Sequence, residues 1–433
     1  MNSRAAFVAI GLAVNLLILA RGVALMLALG YADLGFVALV QAGITFVGMM
    51  HFGLLNGGYR LLCHAGPRTR QRIVDLAYTG FAAITLTLVV IAVIAVGLTG
   101  NTTLWQVAGL AIIGGVATLM RSWMMNEMVA GQRLRAANAI NAASALVSLA
   151  ALAPLWAPQP FAAPAVIAAS AIALQPVVFA GLALLSGAVM RPRALRASPL
   201  IAKPVLRAGF ALFTAGLALQ LIPLMERAYL THYLGLEALG RLYLAILFVT
   251  LFQMAPNLIQ QVFLPPVVEL WRKRDGAAIQ RELRALLGVM IVYCAAAALG
   301  VWLVAEPLLA AILPAYVADL RWVYILTPGL IVFALSTPFC LSFNVLIDYR
   351  WYLIAYIAGA VVSAVVLASA TLGSAPLGLD QITFLRSAVF ALMGAVAVFG
   401  SWRITARAPQ LRVFGANRDA APAAASASAR TVV

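Results

Sequence analysis

Charge is what this sequence has least of. Only 10% of its 433 residues are Asp, Glu, Lys or Arg, where a soluble domain carries about 25%, so most of the chain is not built to face water. Acidic residues are scarcer still, 13 against 29 basic ones, and cysteine and histidine number 3 each. Cys63, Cys294 and Cys340 lie within or beside apolar runs at no metal-ligand spacing and read as inert packing residues. No His/Cys/carboxylate cluster, glycine-rich phosphate loop or Gly-x-Ser-x-Gly turn stands out, which removes the usual equipment of soluble catalysis. No metal and no cofactor is expected.

What the chain has instead is hydrophobicity: 64% of its residues are apolar and its mean hydropathy is +1.02. Runs such as FAAITLTLVVIAVIAVGL and YIAGAVVSAVVLASATLG match the roughly 20 apolar residues a helix needs to cross a bilayer. Lipid offers the backbone no hydrogen-bond partners, so repeated runs of this kind imply a helical bundle. Hydropathy places about twelve spans, at 6–28, 36–58, 76–98, 105–129, 136–156, 164–188, 208–230, 241–264, 285–305, 322–345, 351–371 and 383–402. The opening stretch MNSRAAFVAIGLAVNLLILARGVALMLALG is too long in its apolar part for a signal peptide and reads as the first retained span. The fold class is therefore an all-α polytopic membrane protein.

The net charge of +16 would suggest nucleic acid in a soluble protein. Here its placement explains it. With the amino terminus inside, alternate connections hold Arg68, Arg70 and Arg72, then Arg133 and Arg135, then the group from Arg191 to Arg207, then Arg272 to Arg284, then Arg350 and the tail. With Arg4 and Arg60 these make 23 of the 29 basic residues. The opposite connections, GLTGNTTLW, APQPFAAP and TLGSAPLGLD, hold almost none. That is a positive-inside bias, with anionic lipid as the partner of the charges rather than nucleic acid. It places both termini on the cytoplasmic side of the membrane. The basic, proline-bearing stretch 191–207 reads as a linker between lobes at 1–190 and 208–402, followed by a basic low-complexity tail at 403–433 whose end, ANRDAAPAAASASARTVV, reads as disordered.

Two heptads echo one another: LGYADLG at 29–35 and LGLEALG at 234–240, 205 residues apart. The same offset lays Thr45 on Thr250, Met49 on Met254 and Arg68 on Lys273. A second echo, at a slightly different offset, relates Arg133 to Arg350. Each half has an even number of spans, so both enter the bilayer the same way up. Their relation is a pseudo-two-fold along the membrane normal, with any binding site between them. The heptad becomes the outward hinge between the first two spans of each half.

Charges within the spans are few. Arg21 lies eight residues before Leu29, roughly 12 Å along a helix, and a charge at such depth costs about 2.5–3.5 kcal/mol unless it meets a partner or a wet cavity. The 205-residue offset lays Arg21 on Glu226, followed at once by Arg227. Arg21 and Glu226 are therefore expected at equal depth across the cavity, paired in one conformation and apart in the other, or else as a static bridge. The second span offers His51, Asn56, Tyr59 and Arg60, and the eighth Gln253, Asn257, Gln260 and Gln261. Such groups suit hydroxyl-rich ligands or interhelical hydrogen bonds, and Arg60 also has the position of a snorkelling residue. Arg121 and Glu127 read as local packing.

The runs ALGYADLGFVALVQAGITFVGMMHFGLLNGGYRLL and ERAYLTHYLGLEALGRLYLAILFVTLFQMAPNLIQQVFLPPVVELWRKRD, with Pro265 and Pro266 near the inner end, resemble the start and the seventh and eighth helices of O-antigen and exopolysaccharide flippases. These belong to the multidrug/oligosaccharidyl-lipid/polysaccharide (MOP) exporter superfamily. The resemblance covers all but about the last thirty residues and rests on spacing and span count. It implies a V-shaped, two-lobed, MATE-like transporter that moves polyprenyl-pyrophosphate-linked oligosaccharide from the inner to the outer leaflet by alternating access. A polysaccharide polymerase or export machinery would be its partner. Arg21, Glu226 and Arg227, with the polar groups of the second and eighth spans, would then line the substrate path, arginine being suited to a pyrophosphate. One departure is Glu226, where such proteins often carry aspartate. A drug exporter of the multidrug branch is the alternative, although the first six spans offer no central acid: Asp33 and Asp75 sit at ends and Glu127 near the inner face. A lipid II flippase generally has more spans. A glycolipid polymerase would need a large outer loop, and an acyltransferase a membrane histidine, for which only His51 is placed. No enzymatic activity is expected.

Overall fold

The computed structural model describes residues 3–62, 65–158, 162–195, 198–373 and 376–413. Cys63 and the low-complexity end of the tail fall outside these ranges, as do the side chains of residues 3–10, 12, 257 and 261. The described chain is helical, without strands. Its helices are α1 (Ser3–Ala28), α2 (Tyr31–Gly48), α3 (Leu54–Leu62), α4 (Pro67–Thr99), α5 (Thr102–Ala130), α6 (Leu134–Ala150), α7 (Pro164–Leu185) and α8 (Pro199–Tyr233). There follow α9 (Gly235–Arg241), α10 (Tyr243–Lys273), α11 (Gly276–Leu299), α12 (Ala305–Ile312), α13 (Leu320–Leu335), α14 (Thr337–Leu346), α15 (Arg350–Leu372) and α16 (Leu379–Ile404). Among the described residues 11 helical stretches are long and apolar enough to cross a membrane, and Ala13–Ala28 of α1 is a shorter apolar helix. Each span expected from hydropathy falls on one of these.

Local chemistry sets the ends. α4 begins with Pro67 after Gly66, where a missing N–H costs nothing. It stops at Gly100, whose φ of 61° is left-handed. The next residue, Asn101, starts α5 by accepting from the N–H groups of Thr103 and Leu104 at 2.9 and 3.2 Å. One connection is shorter than expected: within the stretch read as a linker, residues 199–207 already belong to α8, which opens on Pro199 and carries Pro204 in its second turn.

Several spans are broken rather than continuous. Between α2 and α3 the backbone turns at Phe52 and Gly53, with φ of 46° and 89°. His51 sits in this break, 3% exposed, and its Nδ1 accepts from the Gly53 N–H at 3.1 Å. The ninth span contains a π-helical turn at Gly300–Val304 between α11 and α12.

Burial sorts the helices into layers. In the most apolar window of α7, 61% of residues are buried, and 56% in those of α2 and α16. In α4 the figure is 11%. Exposed Leu86, Val90, Ile91 and Ile94 on α4 mark a hydrocarbon-facing surface.

The repeated heptads meet. A Cβ on Gly35 would collide with the carbonyl oxygen of Leu236, and one on Gly240 with the carbonyl oxygen of Tyr31. Under the 205-residue offset Gly35 corresponds to Gly240 and Tyr31 to Leu236, so the two contacts are the same contact, made reciprocally. Absence of side chains lets the backbones of α2 and α9 touch. The Tyr31 and Tyr316 rings pack edge to face at 5.2 Å around this clasp, and the Tyr31 hydroxyl donates to Ala315 O at 2.9 Å. At the opposite, arginine-rich end the halves meet again: Gly57 of α3 lies against the Val205 carbonyl and Gly209 of α8 against that of Gly53.

Candidate functional site

Between the two clasped ends lies a cavity of about 350 Å³. α2 contributes Gln41 and Thr45, α8 Gln220 and Arg227, α10 Thr250 and Gln253, and α16 Arg386. Both halves thus supply walls, as expected for a site on a pseudo-two-fold. Thr45 and Thr250, equivalent under the repeat, face the same cavity. Their hydroxyls donate to their own helix carbonyls, Gln41 O at 2.8 Å and Ile246 O at 2.9 Å, which leaves their lone pairs available. The only charged side chains lining the cavity, among the described residues, are Arg227 and Arg386.

Those arginines are held by the structure around them. Adjacent residues on a helix point about 100° apart, so Glu226 and Arg227 face different neighbours. Glu226, fully buried, forms an ion pair with Arg386 of α16, whose side chain is 11% exposed. Arg227 turns to the other half and donates to Ala38 O of α2 at 2.6 Å. The cluster therefore holds two guanidinium groups and one carboxylate, and only the guanidinium groups border the cavity.

Arg21 sits in an adjoining cleft of about 20 Å³ that shares Gln41, Ile246 and Thr250 with the cavity. It does not pair with Glu226 in this conformation. Its Nη1 donates to Ser148 Oγ of α6 at 2.8 Å and to Gln175 Oε1 of α7 at 2.9 Å, and Ser148 in turn donates to Ala171 O at 2.6 Å. Each of the two expected partners is thus satisfied within its own half. Arg121 fits the packing role read for it, donating to Asn141 Oδ1 at 2.8 Å with its guanidinium 5.6 Å from the Phe179 ring centre.

The remaining candidates scatter. Gln253 borders the main cavity and also a smaller one of about 140 Å³, which Gln260 lines as well. His51 serves the helix break, with its ring edge-to-face against Phe213 at 5.3 Å. Asn56 and Tyr59 lie half-buried on α3, away from the cavity. Arg60 is at the arginine-rich end, where it donates to the Tyr349 hydroxyl at 2.6 Å. Asn257 and Gln261 lie outside the described side chains. Sequence reasoning missed Arg386, Gln41 and Gln220. The signal for Arg386 was present: it is the one charge in the apolar body of the last span.

No protein-family model and no curated protein sequence matches this chain. Solved structures do. The chain is similar to the inward-facing conformation of a multidrug resistance MATE family transporter of the MOP superfamily, at TM-score 0.70 and 15% identity, covering 92% of this chain and 96% of that one. An outward-facing MATE transporter gives 0.59 at 16% identity over 93% and 95%. The lipid II flippase MurJ in its inward closed conformation gives 0.64 at 12% identity over 91% and 87%. The chain therefore has the all-α, two-lobed MATE-like fold of these membrane proteins.

Proposed function

We propose that the protein is a transporter which carries polyprenyl-pyrophosphate-linked oligosaccharide from the inner to the outer leaflet of a bacterial cytoplasmic membrane. The observation that supports this most is the lining of the cavity: two arginines, Arg227 and Arg386, among amides and hydroxyls, with no carboxylate bordering it among the described residues. Guanidinium groups bind phosphate oxygens through paired donors and never deprotonate at neutral pH. Gln41, Gln220 and Gln253 suit the hydroxyls of the first sugars. In this reading residues 1–190 and 208–402 are the moving lobes, both termini are cytoplasmic, and a polysaccharide polymerase receives the product. The protein performs no bond chemistry.

A second reading is favoured by one observation. A cavity of about 350 Å³ is the size of a drug-like ligand site, and the multidrug transporters share the fold. Against it, a cavity whose only lining charges, among the described residues, are cationic repels a cationic drug.

A deletion strain of the source organism, complemented with wild type, Arg227→Gln or Arg21→Gln, separates them. The flippase reading expects lipid-linked oligosaccharide to accumulate and surface polymer to be lost, with at least ten-fold weaker rescue by Arg227→Gln at equal membrane abundance. Unchanged glycolipid together with new sensitivity to cationic drugs would overturn it in favour of the exporter.

A further inference from the structure

A second concave surface lies far from the central cavity and shares no residue with it. At the arginine-rich end, α3, the first turns of α8 and the α14–α15 connection enclose a groove of about 1130 Å³. Arg60, Lys203, Arg207 and Arg350 line it, against a single carboxylate among the described residues, Asp348. Asp348 is engaged locally, its Oδ1 accepting from the Arg350 N–H at 3.2 Å. Arg60 is anchored on Tyr349, its guanidinium 5.4 Å from the ring centre. Lys203, Arg207 and Arg350 are exposed.

The same groove is apolar along its walls. Leu200 is 86% exposed and Ile347 65%, with Pro199, Pro204 and Leu353 beside them. Ile347 holds a left-handed φ of 55°, a conformation that β-branched residues avoid. This turn carries Asp348, Tyr349 and Arg350 back against α3 and α8. The positive-inside bias requires cations at this end of the bundle. It does not require that four of them, from three separate elements, converge on one concavity with exposed aliphatic walls.

We infer that this groove is a binding site for the phosphate-ester headgroup of an anionic lipid, with the cations on the phosphate and Leu200 and Ile347 on the start of the acyl or prenyl chain. Arg60 comes from the first half, whereas α8 and α15 come from the second. A headgroup lodged there bridges the halves and favours the conformation in which Arg60 reaches Tyr349. The inference does not depend on what crosses the central cavity.

The test uses the purified full-length protein in detergent and native mass spectrometry. Phosphatidylglycerol, phosphatidylcholine, undecaprenyl phosphate and inorganic phosphate are the probes. Phosphatidylglycerol should bind in preference to phosphatidylcholine, and Lys203→Gln/Arg207→Gln should weaken it about thirty-fold, since each cation contributes about 1 kcal/mol near a lipid headgroup. Arg350→Gln, on a different helix, should weaken it about five-fold by the same reasoning. Arg135→Gln, an exposed basic residue outside the groove, should change nothing. Tighter binding of undecaprenyl phosphate would support the site and assign it to a carrier lipid; tighter phosphatidylglycerol assigns it to the bulk membrane. Equal loss in Arg135→Gln, no preference over phosphatidylcholine, or displacement by millimolar inorganic phosphate would each overturn the inference.

Discussion

Glu226 places a carboxylate in the apolar interior of a spanning helix, α8. It is fully buried, and its carboxylate is tolerable there because Arg386 faces it. Removing one member of a buried ion pair typically costs about 3–5 kcal/mol, because the other is left unpaired, whereas replacing both is far milder. Arg386→Gln and Glu226→Gln should each lower the unfolding temperature strongly, and the double variant should recover most of the loss in a fluorescence melt. A double variant as unstable as the singles would mean that the two side chains are not coupled. Sequence reasoning identified Glu226 and Arg21 as costly charges but matched them with each other. An internal repeat relates positions of equal depth, and it says nothing of which way each side chain points. Arg21 instead found Ser148 and Gln175 in its own half. Arg386 was overlooked because hydropathy began the last span at 383, near enough for a long side chain to snorkel out. The helix in fact begins at Leu379, where Gln381 Oε1 accepts from the Gly378 N–H, so Arg386 lies two turns inside.

At the scale of elements, the spans were legible because continuous apolar length is a strong signal: 11 of the expected stretches fall on helices long and apolar enough to cross a membrane, and the first on a shorter apolar helix. Their interruptions were not. The turn at Phe52–Gly53 sits inside the run MMHFGLL, which carries no proline and only one glycine to announce it. The heptads were legible as a repeat, and the structure adds that they are each other's partner. Gly35 and Gly240 allow α2 and α9 to approach until backbone meets backbone. If this clasp seals one end of the cavity, bulk there must open it. Gly35→Ala and Gly240→Ala should each raise the rate at which a cysteine placed at Thr45, on the cavity wall, reacts with a membrane-impermeant maleimide from that side. The experiment needs a background in which Cys63, Cys294 and Cys340 are replaced. About a ten-fold acceleration in either variant, and similar values for both, is the signature of a symmetric gate. Acceleration by one glycine alone would show that the reciprocity is geometrical and carries no functional symmetry.

In the molecule as a whole, the two halves read as duplicates inserted the same way up. Two independent features argue for it. Basic residues gather at the connections of one end in both halves, and the reciprocal glycine contacts place the two heptads together at the other end. An inverted repeat would have put one heptad among the arginines. Cysteines at Thr103, before the body of α5, and at Ala318, between α12 and α13, should both react with an impermeant maleimide in intact cells. Cysteines at Arg135 and Arg281 should react only after permeabilisation. All four positions are exposed, so accessibility depends on the membrane rather than on packing. Labelling of Thr103 and Ala318 from opposite sides would refute the parallel duplication outright. Uniform reversal of all four would preserve the duplication and turn the protein over. The arginine-lined groove would then face away from the cytoplasm, and an anionic headgroup would be met at the exit of the transport path rather than at its start.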